Sequence, residues 1–410
     1  MTTYEMVRTK AEAAHRAAGE LAVTSTVIKN KALLAMADAL EAGAAEILAA
    51  NAKDMEAGRA NNMKESMLDR LALSQVRIHA MAEGLRQVAQ LEDPVGNVLD
   101  GRRLPNGLTV TKVRVPLGVI GIIYEARPNV TADAIGLCVK SGNAVILKGG
   151  SEALQSNIVI AGILTQAAEA AGIPAGAIQF VDSSDRQAVT DLIKMNGLVD
   201  VVIPRGGAGL IQAVVQNATV PVIETGIGVC HTYVDAGADY DAKVQRPAVC
   251  NAMETLLVHE DAAAEFLPQM LTEYFAAGVT IIGCGKTQAF DKRIQAATEA
   301  DWATEYGDLR LSVKIVSGLE EALAHIAKYG TKHSECIVTS DYNHARTFQQ
   351  RVDAAAVYVN ASTRFTDGFE FGVGAEIGIS TQKLHARGPM ALPELTSSKY
   401  LISGDGQIRG

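Results

Sequence analysis

The chain has 410 residues, of which 48% are hydrophobic and 20% charged, so it can bury large cores and is not a predominantly disordered protein. Its length predicts two or three domains. The 46 acidic residues outnumber the 37 basic ones and give a formal net charge of −9, which argues against nucleic acid as the main partner. The longest apolar stretch, Val115–Tyr124, is much shorter than a membrane span of roughly 20 residues. The five cysteines form no CxxC pair, which favours a reducing cytoplasm over a disulfide or zinc framework.

The N-terminal part of the chain, residues 1 to about 92, is predicted to be helical throughout. Ala, Leu, Met and Glu recur there at helical spacing, as in Lys31–Ala50. Asp93-Pro94 ends this part, and Asn106-Gly107 then lies between two β-prone runs rich in charge. This pattern predicts a β-hairpin that leaves the core as an arm.

From Gly118 onward, short β-branched runs alternate with helical segments, which is typical of a parallel, doubly wound sheet with ligands at the carboxyl ends of its strands. Ser151 is the predicted N-cap of a helix that runs to about Ala170. The predicted strands of a first α/β run are Val119–Tyr124, Ala144–Leu147, Ile178–Val181, Val199–Ile203 and a closing Val222–Glu224. Those of a second run are His231–Val234, Thr255–Val258, Val279–Ile282, Leu311–Val316, Glu335–Val338 and Ala356–Val359. The tail, Leu395–Ile402, is a further predicted strand, suited to the edge of a neighbouring molecule.

Two glycine turns are candidate anion sites. The segment Lys148-Gly149-Gly150-Ser151-Glu152 joins a strand to a helix, where glycines permit close backbone approach and a helix N-terminus attracts negative charge. A nucleotide would suit it, although it matches neither GxGxxG nor a Walker sequence, and an ordinary turn with a solvated lysine explains it equally well. Arg205-Gly206-Gly207 is a similar, weaker candidate.

Cys250 is the cysteine whose context most favours chemistry. Pro247 is predicted to occupy the first position of a helix, which would place Cys250 near the end of the first turn. The helix dipole and Arg246 would then lower the pKa of its thiol. The alternative is a buried structural cysteine, which is the role predicted for the other four.

Two further polar residues are weaker candidates, and the histidines are not candidates. Glu224 ends a strand and is either a general base or a salt-bridged carboxylate. Asn129 follows a strand and either donates to an oxyanion or is a routine turn residue. The eight histidines show no metal-ligand spacing, so we assign them structural or surface roles and expect no metal.

The order of these motifs resembles the aldehyde dehydrogenase superfamily and, within it, the subgroup of γ-glutamyl phosphate reductases, also called glutamate-5-semialdehyde dehydrogenases. The resemblance covers essentially the whole chain. Its motifs are Val115–Gly121, Glu125–Val130, Val145–Ala153, Val222–Gly226, the Cys250 segment, Val359–Gly368, Phe371–Thr381 and His385–Pro389. The last three are typical of the reductase subgroup.

The resemblance implies an α/β fold with two doubly wound parallel-sheet domains and a β-hairpin oligomerisation arm. The implied cofactor domain comprises residues 1–101 and 117–228, and the catalytic domain residues 229–362. Residues 102–116 and 386–410 form the implied arm, and 363–385 return to the cofactor domain.

The resemblance also implies residue roles. Cys250 stands at the nucleophile's position and Asn129 at that of the oxyanion donor, while Glu224 keeps the general-base position with its role left open. The implied cofactor residues are Lys148 and Glu152 at the adenosine ribose, Glu305 at the nicotinamide ribose, and the turn residues Gly149, Ser151, Arg205, Gly206 and Gly207. Arg127 and Arg364 are the candidate binders of substrate anions, with surface salt bridges as the alternative for both.

The implied reaction is the NADPH-dependent reduction of γ-glutamyl phosphate to glutamate 5-semialdehyde in proline biosynthesis, through a thioester on Cys250. The sequence does not separate NADPH from NADH. The implied partners are further copies of this chain, as a homodimer or a dimer of dimers, and the upstream glutamate kinase.

Two other functions remain open at this point. One is an aldehyde dehydrogenase that oxidises a small aldehyde, with Glu224 activating water for hydrolysis of the thioester. The other, from a different class, is a non-redox cysteine acyltransferase, which would not bind NADPH.

Overall fold

The computed structural model describes residues 2–125, 127–235 and 249–409, which form two compact units. The first unit comprises Met1–Glu224, Gly372–Gly378 and Met390–Gly410. The second comprises Thr225–Phe371 and Ile379–Pro389. Each unit contains a parallel sheet, so the predicted α/β class is confirmed.

The first unit begins with helices only, as predicted. Apolar residues such as Leu33 and Met36 recur at helical spacing and are fully buried. Side chains of Thr2, Ser25 and Ser74 accept hydrogen bonds from the first turns of three of these helices. The helices are α1 (Thr3–Leu21), α2 (Thr26–Ala42), α3 (Ala44–Ala60), α4 (Glu65–Leu71) and α5 (Gln75–Gln90).

A β-hairpin follows at the predicted place. Strands β1 (Val98–Arg103) and β2 (Thr109–Pro116) pair antiparallel around the Asn106-Gly107 turn. Gly107 has a φ of +88°, a conformation that glycine adopts without steric cost. Every residue of β1 is exposed, so the hairpin projects from its unit.

The four-stranded parallel sheet of the first unit has the order β5-β4-β3-β6. Its two central strands, β3 and β4, are buried along their whole length, as their β-branched runs require. The elements are β3 (Val119–Tyr124), α6 (Asn129–Lys140), β4 (Ala144–Gly149), α7 (Leu154–Ala171), β5 (Ile178–Phe180), α8 (Gln187–Leu192), β6 (Val201–Arg205) and α9 (Ala208–Asn217).

Two local predictions in this run were wrong. Ser151 does not cap a helix, because Ser151–Ala153 forms a 3₁₀ turn and α7 begins only at Leu154. The closing strand Val222–Glu224 is reduced to a single bridge between Val222 and Val202, since the chain leaves the sheet immediately afterwards.

The second unit is built on a seven-stranded parallel sheet of order β10-β9-β11-β8-β7-β12-β13. All six predicted strands of this run are present, with bounds that differ by up to two residues. Its elements are β7 (Cys230–Val234), β8 (Met253–His259), α10 (Glu260–Ala276), β9 (Thr280–Gly283), α11 (Gly285–Gln288), β10 (Gln295–Ala296), β11 (Arg310–Val316), α12 (Leu319–Tyr329), β12 (Ser334–Val338), α13 (Tyr342–Arg351) and β13 (Ala356–Val359), followed by the short hairpin β14 (Ile379–Ser380) and β15 (Gly388–Pro389).

The strand predicted in the tail is present as β16 (Thr396–Ser403). It pairs antiparallel with β2 of the same chain, from Thr396 opposite Pro116 to Ser403 opposite Thr109. The hairpin thereby becomes a three-stranded sheet of order β1-β2-β16. The predicted addition of the tail to a neighbour's edge concerns the other edge of β16, which lies at the end of this sheet, and stays a prediction. Throughout the described ranges, no helix is both long and apolar enough to cross a bilayer.

Candidate active site

In the first unit, the candidate cofactor residues meet at one edge of the parallel sheet. Tyr124 at the end of β3 is in register with Gly149 at the end of β4 and with Arg205 at the end of β6. The two glycine turns therefore start at the same level on either side of β3. This is the edge at which doubly wound sheets bind their ligands.

A carboxylate of the protein itself occupies one of these turns. The Glu125 carboxylate accepts a hydrogen bond from the backbone N–H of Gly207 (2.8 Å), at the N-cap of α9. No side chain of the helix itself caps this end. The N-terminus of α9 thus binds a negative group, and the phosphates of a nucleotide fit the same donors.

The β4 turn presents a buried cation. Lys148 is only 4% exposed, its Nζ donates to the carbonyl of Gly149 (2.8 Å), and burial lowers the pKa of its ammonium group. Ser151 and Glu152 are exposed in the 3₁₀ turn that follows. A methyl group on Gly150 would come within 2.2 Å of a Glu152 oxygen and 3.4 Å of the Glu125 backbone, so the glycine permits a close approach here. These features fit a dinucleotide.

Asn129 is the first residue of α6 and is exposed. Its side-chain amide donates to Asp133 Oδ2 (3.2 Å), one helical turn further on. Burial raises the pKa of Asp133 to about 6, against the opposing effects of Asn129 and Arg205. An amide held in this way still has a second N–H with which to bind an oxyanion.

In the second unit, Cys250 lies in a tight turn that leads directly into β8. The N–H of Ala252 donates to the carbonyl of Val249 (3.0 Å) and closes the turn around Cys250 and Asn251. The prediction that Cys250 belongs to the first turn of a helix was wrong, because the chain here turns into a strand. Arg246 and Pro247, on which that prediction rested, lie outside the described residues.

The backbone of Cys250 is enclosed by β7 and the residues before it. A Cβ atom on Gly228 would lie 1.4 Å from the Cys250 carbonyl oxygen, so only glycine fits there. The Cys230 thiol donates to the same oxygen (3.2 Å). Cys230 is fully buried, and burial raises the pKa of its thiol well above the usual value, so it stays protonated.

Asn251 links the turn around Cys250 to residues 363–366, within one of the motifs typical of the reductase subgroup. Its amide donates to the carbonyls of Arg364 (3.1 Å) and Thr366 (3.0 Å). The Thr363 hydroxyl donates to the Asn251 carbonyl (2.7 Å), and the Arg364 guanidinium donates to Asn251 Oδ1. Arg364, a candidate substrate binder, thus contacts the residue that follows the candidate nucleophile Cys250.

His333 is the residue that sequence reasoning missed. Its Nε2 lies 3.2 Å from Cys250 Sγ, and its Nδ1 lies 2.8 Å from Ser334 Oγ. The ring is completely buried, immediately before β12. No spacing rule in the sequence links two residues 83 positions apart, and the histidines were all assigned structural or surface roles.

Hydrogen bonds of the two residues that follow Glu305 hold its loop in place. Tyr306, which follows the candidate nicotinamide-ribose ligand, donates to Asp301 Oδ1 (3.0 Å) and bonds Ser312 Oγ (2.9 Å). Gly307, at a φ of +62°, donates its N–H to Glu254 Oε1 (3.2 Å). The two residues that follow the half-buried Glu305 are therefore held by hydrogen bonds.

Comparison with known proteins identifies the family. The model of the aldehyde dehydrogenase family matches residues 1–280. The chain is 61% identical to the γ-glutamyl phosphate reductase of Moorella thermoacetica and 60% identical to that of Clostridium novyi, over 97–98% of this chain and 98% of each relative. This chain belongs to the aldehyde dehydrogenase family. Within it, the chain belongs to the γ-glutamyl phosphate reductases, so the resemblance is confirmed.

Solved structures agree with this assignment. The γ-glutamyl phosphate reductase of Thermotoga maritima superposes with a TM-score of 0.95 at 48% identity, over 98% of this chain and all of that one. An acetylating aldehyde dehydrogenase from Geobacillus thermoglucosidasius shares the fold, with a TM-score of 0.72 at 18% identity. The predicted aldehyde dehydrogenase-like fold is thereby confirmed.

The structure also places two further residues that the family resemblance singled out. Glu224 is the last residue of its part of the first unit and is half-buried. Arg127 is also half-buried, and its carbonyl accepts from the N–H of Val130 at the start of α6. Their proposed roles in this aldehyde dehydrogenase depend on the family resemblance rather than on their contacts.

Proposed function

We propose that this chain catalyses the NADPH-dependent reduction of γ-glutamyl phosphate to glutamate 5-semialdehyde with release of phosphate, a step of proline biosynthesis. The observation that carries the proposal is the Cys250 thiol, held in a fixed turn with an imidazole nitrogen 3.2 Å from its sulfur. A thioester mechanism needs such a nucleophile. The relatives that are 60–61% identical over nearly their full length supply the substrate, since γ-glutamyl phosphate is what their names say they reduce.

The protein's own groups would act in the following order. Cys250 attacks the acyl carbon, phosphate departs, and a thioester remains on the sulfur. Asn129 is the proposed side-chain donor to the oxyanion of the tetrahedral intermediate. Arg127 and Arg364 are the proposed binders of the substrate's anionic groups, and Glu224 has no required role because no hydrolysis occurs.

NADPH is the proposed reductant and supplies the hydride that converts the thioester to the aldehyde level. Lys148 and Glu152 would hold its adenosine ribose, and Glu305 its nicotinamide ribose. The donors of the Arg205-Gly206-Gly207 turn, one of which now binds the Glu125 carboxylate, would hold phosphate, with Gly149 and Ser151 completing the first turn.

We also propose that the enzyme is cytoplasmic and acts as a homodimer or a dimer of dimers, associating through the arm. The glutamate kinase that makes γ-glutamyl phosphate is the proposed further partner. An exposed apolar surface on the arm supports the association, since Tyr400 and Ile402 of β16 are 57% and 62% exposed.

The proposed function is tested by the reverse reaction, the phosphate-dependent reduction of NADP⁺ by glutamate 5-semialdehyde. Wild-type protein should show it, and Cys250→Ser should lower kcat by roughly 10³-fold or more. Cys284→Ser is the matched control, because that thiol contacts Thr287 in another part of the second unit and should leave the rate unchanged. Normal turnover by Cys250→Ser, or reduction that needs no phosphate, would contradict the proposal.

A further inference from the structure

The imidazole of His333 is in direct contact with the proposed nucleophile. Its Nε2 lies 3.2 Å from Cys250 Sγ, a distance at which a thiol donates to a neutral ring or a protonated ring donates to a thiolate. The ring is wholly buried, so water does not compete for this nitrogen. A proton can therefore pass between the sulfur and the ring without rearrangement.

The ring is fixed from its other side. Nδ1 lies 2.8 Å from Ser334 Oγ, which lies 2.6 Å from Thr366 Oγ1, and Tyr358 OH lies 2.8 Å from the same threonine oxygen. The hydroxyl groups form a chain that can accept from Nδ1–H and leave Nε2 directed at the sulfur. Burial raises the pKa of Tyr358 to about 12, so its hydroxyl remains a neutral member of this chain.

The backbone on both sides of the contact is equally constrained. The His333 carbonyl accepts from the N–H of Ala356 (3.0 Å), and Lys332 before it adopts a φ of +63° to make the turn into β12. On the nucleophile's side, Gly228 packs against the Cys250 carbonyl. Two groups that must exchange a proton are thus held in contact by the fold itself, which is the arrangement expected of an acid–base pair.

Three other titratable groups near the ring, all among the described residues, have interactions of their own. Cys230 Sγ lies 3.8 Å from Nδ1, but its thiol is directed to the Cys250 carbonyl and its pKa is raised by burial. Glu335 Oε2 accepts from both the backbone and the ring of His231, and the charge of Glu305 helps to raise the pKa of the Cys230 thiol.

We propose that His333 is the general base and general acid of the acylation step. It takes the proton from the Cys250 thiol as the sulfur attacks the acyl carbon, and gives it to the bridging oxygen of the departing phosphate. This inference rests on the proposed function, because it requires Cys250 to be the nucleophile of an acyl phosphate reductase.

The step is balanced in atoms and charge. A bond forms between the sulfur and the acyl carbon, and the bond between that carbon and the oxygen bridging to phosphorus breaks. No oxidation or reduction takes place. Without a donor the leaving group would depart as PO₄³⁻, whereas the imidazolium proton allows it to leave as HPO₄²⁻. Sulfur and the leaving oxygen are bonded to the same tetrahedral carbon, so one nitrogen near the sulfur can reach both. After reduction, Cys250 is released as a thiolate and regains one proton from solvent, which completes the proton balance of the reaction.

The test uses His333→Gln, whose amide can donate to sulfur but cannot carry a proton at neutral pH. In the reverse assay the imidazole would take the proton of incoming phosphate, so the variant should lower kcat by about 10²–10⁴-fold. The pH dependence of kcat should also lose one ionisation. His344→Gln is the matched control, because that side chain is 44% exposed and hydrogen-bonded to Asp235.

A second measurement is independent of turnover. The rate at which iodoacetamide alkylates Cys250, followed by mass spectrometry of its peptide, reports the thiolate fraction. His333→Gln should slow alkylation at pH 7 by about tenfold and move its midpoint to higher pH. Ser334→Ala, which only loosens the ring, should give a smaller loss of kcat with the wild-type pH profile.

The outcomes separate the two proposals. If His333→Gln folds, as judged by its circular dichroism and melting temperature, and keeps the wild-type pH profiles of both turnover and alkylation, His333 has only a structural role and the inference is overturned. Loss of activity with an unchanged alkylation profile overturns it as well. Normal turnover by Cys250→Ser would instead refute the proposed function, whatever the result for His333.

Discussion

Gly228 determines where Cys250, the proposed nucleophile, lies because it has no side chain. The Cβ atom of an alanine here would come within 1.4 Å of the Cys250 carbonyl oxygen, which is a backbone atom and cannot rotate away. Gly228→Ala must therefore displace either β7 or the Cys250 turn. A displacement of about 1 Å costs roughly 10²-fold in rate, so we expect kcat/KM in the reverse assay to fall by at least that much.

Gly162 provides a control for this substitution. It lies within α7, and no atom comes within 4 Å of the Cβ that an alanine would add. Gly162→Ala should keep wild-type kcat/KM and should raise the melting temperature slightly, since alanine is the better helix former. If Gly228→Ala were as active as Gly162→Ala, the Cys250 turn would not need the position seen in the structure.

At the scale of single residues, the sequence was informative where chemistry is local. A proline and an arginine three and four positions before it distinguished Cys250 from the other cysteines. The position was identified although the predicted helix was wrong, because the subgroup's motifs also include the Cys250 segment. His333 had no such local signal. Its partner is brought to it because β7 pairs with both β8 and β12, non-local contacts that single-residue patterns do not contain.

The arm shows how an element can be predicted while its partner is not. Asn-Gly between β-prone runs selects a tight hairpin turn, so β1 and β2 were predictable from a few neighbouring residues. The pairing of β16 with β2 closes a loop of nearly 300 residues, and no local pattern distinguishes it from pairing with another molecule. Strand existence is a local property, whereas strand pairing is a property of the whole chain.

The arm also carries a prediction about assembly. Ile402 of β16 is 62% exposed on an element that already pairs through its backbone, which is unfavourable for a lone molecule in water. Ile402→Asp should therefore convert the proposed oligomer to a smaller species, as measured by sedimentation velocity at matched concentrations. Ile408→Asp is the control, because Ile408 is 92% exposed beyond the strand and should leave the assembly unchanged. An unaltered sedimentation coefficient for Ile402→Asp would remove this face from the proposed interface.

At the scale of the whole molecule, each unit derives its stability from a parallel sheet with apolar strands, and polar groups are buried mainly where hydrogen bonds hold them. His325 is an exception. It is 4% exposed in α12, and neither of its ring nitrogens has a hydrogen-bond partner among the described residues. It packs instead on rings, with centroid distances of 4.5 Å to Tyr329 and 5.4 Å to Trp302.

This environment makes the stability of the protein depend on pH. Burial, and then the nearby His231 and Lys314, lower the pKa of His325 from 6.5 to about 3, so the ring stays neutral in the folded state. In the unfolded state the ring takes up a proton as the pH falls below about 6.5. The unfolded state therefore binds more protons between pH 6.5 and 3, and stability is lost as the pH falls through this window. At pH 4.5 the loss from this one residue is on the order of 2–3 kcal/mol.

His325→Phe should remove that loss, because phenylalanine keeps the ring contacts and has no proton to take up. In urea unfolding, the variant should match or exceed wild type at pH 7.5, and its free energy of unfolding should fall less than that of wild type between pH 7.5 and 5. His15→Phe changes an exposed histidine and should retain the wild-type slope. If the free energies of unfolding of His325→Phe and wild type fell in parallel with pH, other groups would govern acid unfolding. Removal of a buried imidazole of lowered pKa must change the number of protons that unfolding takes up.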